Sequence, residues 1–261
     1  MGEHPPFDPD AVAAELAEAE RIRRGVALLT ERWPDLTFAD ARRVARARDA
    51  LRRAAGDQQV GYKLGWTSDA MREALGIRQP NWGTVWRSQA IADGATLEVA
   101  ALLHPKVEPE IVYRAGVDLA GPDVTPRRVI ETAAGWSLGL EIVDPRFPDY
   151  GFRWLDNTAD NSSAGRFVVS AEIPHLDDPA RVEVVFDDGE TTLTGAGERA
   201  MGSPAAAVAW LVAALHAEGT GLAAGEIVLT GGLTAPLDVV PGRRYRLRAP
   251  GSGLAVTVEA I

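Results

Sequence analysis

Residues 106–113 read KVEPEIVY, and residues 139–147 read GLEIVDPRF; each puts glutamate inside an apolar run. An ionised carboxylate taken out of water without a partner is strongly disfavoured, so acids in such places are usually paired, protonated or bound to metal. In a strand, residues two apart face the same way. Glu108 and Glu110 would then aim at one point, and Glu141 on a second strand could supply a third carboxylate. Three oxygen ligands with positions left open suit Mg²⁺ or Mn²⁺. The plainer reading is a pair of solvated glutamates on an edge strand, which Pro109 between them would fit.

Working outward, the rest of the chain also reads as strands. Short β-branched and apolar runs separated by Gly, Pro and Asp turns recur from residue 60 on, among them VGYKLGW, GRFVVS, RVEVVFDDGE, GEIVLTGG, RYRLRAP and LAVTVEAI. Turns of the DDG and PG type point to antiparallel or mixed pairing rather than serial βαβ winding. Helices are expected at about 126–135 and at 204–218, the second with Pro204 at its start. Residues 10 to about 55 look helical. Val12, Leu16, Ala19, Ile22, Val26 and Leu29 fall at spacings of three and four, behind Asp8 or Asp10 as cap and ending at Pro34. A second helix runs from Thr37 as N-cap to Gly56. Its arginines at 42, 43, 46, 48, 52 and 53 are expected on a solvated face or against an acidic partner surface. The expected organisation is α+β: an N-terminal helical region (1–58) on a mixed-β, metal-binding catalytic domain (59–261).

Composition excludes several classes. The 261 residues carry a net charge of −10, which argues against nucleic acid or an anionic membrane as general partner. There is no cysteine, so no disulfide, thiolate nucleophile or cysteine metal site. The acidic start MGEHPPFDPD has no apolar leader, and no apolar run of membrane-helix length stands out. A soluble, cytoplasmic protein is the expectation.

Read in order, VGYKLGWTSDAMREALGIRQPNWG, HPKVEPEIVY, GLEIVDPRF, DNTADNSSAGRFVVS, MGSPAAAVAWLVAAL and GLAAGEIVLTGGLTAPLDVVPG resemble the 2-keto-4-pentenoate hydratase and 4-oxalocrotonate decarboxylase family, within the fumarylacetoacetate hydrolase superfamily. The resemblance covers about residues 35–261. It implies a mixed β-roll, a divalent metal (Mg²⁺ or Mn²⁺) on Glu108, Glu110 and Glu141, a small 2-oxo acid substrate, and a homo-oligomer that could also pair with a homologous hydratase or decarboxylase. It further implies aromatic catabolism and, as the leading activity, hydration of a 2-hydroxy-2,4-dienoate to a 4-hydroxy-2-oxo acid. Decarboxylation of a 4-oxalocrotonate-type diacid and simple keto–enol tautomerisation are the alternatives.

Individual residues then take on roles. Lys63 in GYKLGWTS snorkels to the surface, is held as a cation against an anion, or has its pKa lowered for proton transfer; the resemblance places it in the active site, to orient the substrate carboxylate or shuttle a proton. Asn81 in QPNWG stands where hydratases of the family usually carry aspartate. It can hydrogen-bond but cannot exchange a proton at neutral pH, and a plain turn asparagine is the simpler reading. Ser162 and Ser163 lie in a polar stretch that reads as a loop, with Ser163 the first choice for contacting substrate or water. Trp66 and Thr67 follow Lys63, and Trp66, where leucine is common in the family, suggests a bulkier substrate. Gly231, Gly232 and Thr234 in LTGGLTAP read as a tight turn or a close approach to substrate. No Ser-His-Asp triad is indicated, and of His4, His104, His175 and His216 only His104 lies near the acidic motif.

Overall fold

The computed structural model describes residues 6–173 and 176–261, which leaves His4 and His175 outside the described residues. The helices are α1 (Pro9–Ile22), α2 (Leu29–Arg32), α3 (Phe38–Ala54), α4 (Asp69–Leu75), α5 (Pro126–Glu131), α6 (Trp154–Ala159) and α7 (Pro204–Ala217). One curled sheet joins β1 (Gln59–Gly65), β2 (Asn81–Trp86), β3 (Ala90–Ile91), β5 (Lys106–Ala115), β6 (Ala133–Val143), β7 (Ala164–Glu172), β10 (Ile227–Leu229) and β11 (Leu237–Asp238). A second joins β4 (Thr96–Leu97), β8 (Glu183–Asp187), β9 (Thr192–Ala196), β12 (Arg244–Ala249) and β13 (Leu254–Ala260). Pairing is mixed: β1 runs parallel to β10 and antiparallel to β2, while β5, β6 and β7 form an antiparallel meander. The expected mixed β-roll is what the chain adopts.

The sheets divide by burial. β12 alternates, with Tyr245, Leu247 and Ala249 inward, as a sheet wet on one face should. By contrast β2 is buried along its whole length, and β6 from Trp136 to Val143. These strands have cover on both faces: the second sheet packs on β6, and residues 161–163 with α6 pack on β2. Strand β5 is therefore central and not an edge. Its Pro109, which has no N–H to give, falls between the stretch paired to β10 (residues 112–114) and the stretch paired to β11 (106–107), where only its carbonyl is called on, by the Leu233 amide.

Several sequence expectations are corrected here. The first helix stops at Ile22, with Arg23 in the left-handed region (φ 54°), and Val26 and Leu29 do not continue it. The Val26 amide instead donates to the Arg146 carbonyl (2.9 Å), so docking onto the body outweighs helix continuation. The polar stretch before Ser162 is not all loop, since α6 spans Trp154–Ala159. Asn81 opens strand β2 and does not sit in a turn. Residues 197–217 do contain an 18-residue window with a mean hydropathy of 1.4, as apolar as a membrane span. That stretch is broken by the Ser203 cap, whose hydroxyl accepts from the Ala205 amide, and α7 buries eight of its residues in the core.

The arginine-rich face of α3 finds its acids within the chain. Arg42 stacks on Trp82 (4.0 Å to the ring centre) and pairs with Glu218 beyond α7 at 2.9 Å. Arg48 bridges Glu20 (2.9 Å) and the buried Asp160 (2.8 Å), and Arg52 reaches Glu20 at 2.7 Å. Arg146, fully buried, holds Asp160 from the other side at 2.6 Å. Burial works against the Glu20 carboxylate, but Arg146, Arg48 and Arg52 outweigh it and hold it down to about 2. Because its folded value lies below the ordinary 4.5, the stabilisation is present above about pH 4.5 and is lost as pH falls towards 2. Glu20→Gln is expected to cost about 2 kcal/mol at neutral pH. It should also flatten the acid limb of the stability–pH curve, as urea unfolding at pH 7, 4 and 3 will show.

Candidate active site

The β5–β6 register sets Glu108 directly opposite Glu141, with Glu110 one pleat further along the same face of β5. A ligand atom from each of the three lies within 4.8 Å of the others. Glu110 and Glu141 are buried and Glu108 half-buried. The Gly231 amide donates to Glu110 Oε2 (2.8 Å). A Cβ at Gly231 would come 2.0 Å from Thr67 Oγ1, so only glycine (here at φ 109°) lets the chain carry that amide to the carboxylate. Gly232 passes beside Glu108.

Against three carboxylates the interior sets one fully buried cation, Lys63, whose Nζ lies 3.0 Å from Glu141 Oε2 and donates to the Ser162 carbonyl at 2.9 Å. Burial alone would push the Lys63 ammonium down, but Glu141, Glu108 and Glu110 outweigh it and raise it. The snorkelling alternative is thereby removed, since Lys63 is 2 % exposed. Burial, with Glu141 adding to it and Lys63 and Lys106 opposing, pushes Glu108 up to about 7. Burial and the Glu141 charge push Glu110 well up as well. Glu110 Oε1 and Glu141 Oε1 are buried with no hydrogen-bond donor. Orphaned carboxylate oxygens, and negative charge that one lysine does not balance, fit a divalent cation held by oxygen ligands.

The cavity in front of this cluster has a volume of about 210 Å³, and Lys63, Trp66, Lys106, Glu108, Ser162 and Ser163 are among its lining residues. Asn81 is fully buried behind it, with both amide donors and its oxygen engaged by neighbours. Its amide donates to Asn157 Oδ1 (2.7 Å) and Thr158 Oγ1 (3.0 Å), and its Oδ1 accepts from Ser162 Oγ (2.9 Å). Asn157 also accepts from Trp66 Nε1 (2.9 Å) and donates to Ser163 Oγ (2.7 Å). Thr67 is buried against the Gly231 turn. Thr234 turns its hydroxyl to the Ala235 carbonyl, and Pro236 takes the cavity wall in that stretch. His104 stacks edge-on against Tyr150 and gives its amide to Asp144.

Sequence reading missed Asn157, Lys106 and Tyr150 as parts of this wall. Lys106 was within reach of the same period-two argument, because it shares a strand face with Glu108 and Glu110.

No protein-family model matches the sequence. Characterised relatives do. A 2-hydroxyhexa-2,4-dienoate hydratase of Comamonas testosteroni is 35% identical over 246 residues, covering 91% of this chain and 92% of the relative. A 4-oxalocrotonate decarboxylase of Pseudomonas sp. (strain CF600) is 32% identical over 244 residues, covering 92% of each. The chain belongs to the 2-keto-4-pentenoate hydratase and 4-oxalocrotonate decarboxylase family. A solved family structure, the 4-oxalocrotonate decarboxylase from Pseudomonas putida G7 complexed with magnesium and adipate, superposes with a TM-score of 0.92 at 30% identity, covering 97% of both chains. Fumarylpyruvate hydrolase from Pseudomonas aeruginosa, in complex with Mn²⁺ and pyruvate, shares the fold at a TM-score of 0.57 and 19% identity, covering 77% of this chain and 88% of that one.

A cation site built from repelling acids is expected to weaken the empty protein. Glu110→Gln should stabilise the metal-free protein by on the order of 1 kcal/mol and so raise its melting temperature. The same change should abolish the thermal shift produced by Mg²⁺ or Mn²⁺. Scanning calorimetry with and without the ion tests both signs together.

Proposed function

We propose that this family member is a divalent-metal-dependent lyase acting on an enolisable 2-oxo acid, and that its reaction is hydration of a 2-hydroxy-2,4-dienoate to a 4-hydroxy-2-oxo acid. The observation that carries the reading is the triad of Glu108, Glu110 and Glu141 with two unpartnered oxygens, closed on one side by Lys63. These three carboxylates would hold Mg²⁺ or Mn²⁺, and the ion when bound polarises a 2-oxo group as a Lewis acid. Relatives named as hydratases and the size of the cavity support a small substrate.

The chain's own residues supply the rest. Lys63, kept charged by its carboxylate neighbours, offers a fixed positive charge to the substrate carboxylate. Ser163 Oγ lines the cavity and accepts from Asn157, which leaves its own proton to be given to substrate or water. Asn81 holds Asn157, Thr158 and Ser162 in place and, as a neutral amide, serves as neither acid nor base, so the proton steps fall to Ser163, Lys63 or the carboxylate cluster. Trp66 and Phe152, edge to face at 6.4 Å, line both this cavity and a second one of about 740 Å³. They set the reach allowed to the substrate's far end.

A second reading, decarboxylation of a diacid, is favoured by Lys106. This lysine lines the cavity on the same strand face as the glutamates, with Asp238, which is largely exposed, as its counter-ion at 3.2 Å. A carboxylate at the far end of a substrate could take the place of Asp238.

Purified protein given 2-hydroxypenta-2,4-dienoate and Mg²⁺ should lose dienol absorbance with a gain of one water by mass, and EDTA should abolish turnover. Loss of absorbance without water gain would mean tautomerisation only, and CO₂ release from 4-oxalocrotonate would establish the decarboxylase. Lys106→Met should raise KM for the diacid about tenfold and leave the dienoate nearly unchanged. Trp66→Leu should broaden acceptance towards longer 2-oxo acids, as measured by kcat/KM across a chain-length series.

A further inference from the structure

Asn161, Ser162 and Ser163 form three consecutive non-glycine residues in the left-handed region, with φ of 54°, 53° and 58°. Side chains with a Cβ disfavour this conformation, and a run of three persists only where surrounding contacts impose it. What imposes it here is specific. The Asn161 side chain grips both backbone groups of Thr84 in β2: its Oδ1 accepts from the Thr84 amide and its Nδ2 donates to the Thr84 carbonyl, both at 2.8 Å. One amide side chain thus takes the pairing position of a neighbouring strand. Next to it, Gly83 lets the arch lie directly on β2, since a Cβ at Gly83 would meet the Asn161 carbonyl oxygen at 2.1 Å.

The arch presents groups to the site. The Ser162 carbonyl receives Lys63 Nζ, the Ser162 hydroxyl donates to Asn81, and Ser163 Oγ faces the cavity. At its far end the Ser163 carbonyl accepts from the Asp144 amide at 2.9 Å. Asn161 is itself buried and absent from the cavity wall.

We propose that Asn161 is a positioning residue: by clamping Thr84 it holds residues 161–163 in the left-handed arch that fixes Lys63 and directs the Ser163 hydroxyl at the substrate. The activity arm of the test rests on the function proposed above; the exchange arm does not.

Asn161→Ala removes the clamp, and Gly83→Ala pushes the arch off β2 from the opposite side. Both should lower kcat by about 100-fold, the scale of an ångström-sized misplacement. The Mg²⁺ affinity measured by calorimetry should change by no more than about threefold, because the carboxylates stand on β5 and β6, whereas KM should rise as Lys63 loses its anchor on the Ser162 carbonyl. Hydrogen exchange followed by mass spectrometry should quicken in peptides covering residues 157–165 and stay unchanged over residues 106–113. Asn161→Asp keeps the acceptor for the Thr84 amide and loses the donor; it should fall between wild type and Asn161→Ala, and provides the graded comparison if the alanine variant does not fold. Unchanged kcat and unchanged protection at 157–165 in Asn161→Ala would overturn the proposal. So would faster exchange across the whole sheet with kcat per folded molecule intact, since that is the signature of a merely structural asparagine. If wild type turns over no 2-oxo acid, the proposed reaction falls, and the exchange data alone decide the clamp.

Discussion

Three carboxylates are brought to one point by the register of a single antiparallel strand pair, and only one buried lysine stands against them. Most of the molecule can be understood as what makes that arrangement tolerable. Glu108 faces Glu141 across the β5–β6 ladder, so a slip by one residue would turn one of the two away and dissolve the site. The register is secured on every side: β7 continues the meander, β10 and β11 flank β5, and the second sheet packs over β6. Carboxylates within 4.8 Å of one another are costly in a low-dielectric interior, and the surrounding packing must offset that cost.

Around this centre the polar groups are shared out economically. Lys63 answers Glu141 and the Ser162 carbonyl together, the Gly231 amide answers Glu110, and Asn157 joins Trp66, Asn81 and Ser163. The amides and hydroxyls of this network are neutral, and Asn157, Ser162 and Ser163 carry it to the cavity wall beside the charged groups. That neutrality keeps the wall rigid without adding a further charge to a crowded site, and it gives a physical sense to an asparagine at position 81.

The convergence of Glu108, Glu110 and Glu141 was legible because strand geometry converts the spacing of Glu108 and Glu110 into a common direction. The β-roll was legible through alternation and turn chemistry, and the Thr37 cap and the Gly56 end of α3 followed from local rules that tertiary contacts did not override. Where reading failed, distant contacts decided. No capping residue announces the end of α1 at Ile22; Arg23 takes up the left-handed cap there, and the Val26–Arg146 hydrogen bond docks the chain beyond it. The stretch 154–163 has the composition of a loop, yet Asp156 ties it to Thr30, and Asp160 joins it to Arg48 and Arg146. Left-handed serines cannot be foreseen from sequence, because the clamp that enforces them lies nearly eighty positions earlier.

The arginine–acid chain running from Glu20 through Arg48 and Asp160 to Arg146 has a consequence for how the protein is made. Arg48 and Asp160 are separated by 112 positions along the chain. Arg48 and Arg52 find Glu20 within the N-terminal helices, but Arg48 meets its second acid only once the middle of the polypeptide has been synthesised. Closing so long a loop comes at an entropic cost before any contact rewards it. The arch carrying Ser162 and Ser163 follows directly on that same aspartate, so the N-terminal helices and the cavity wall are tied through one buried side chain.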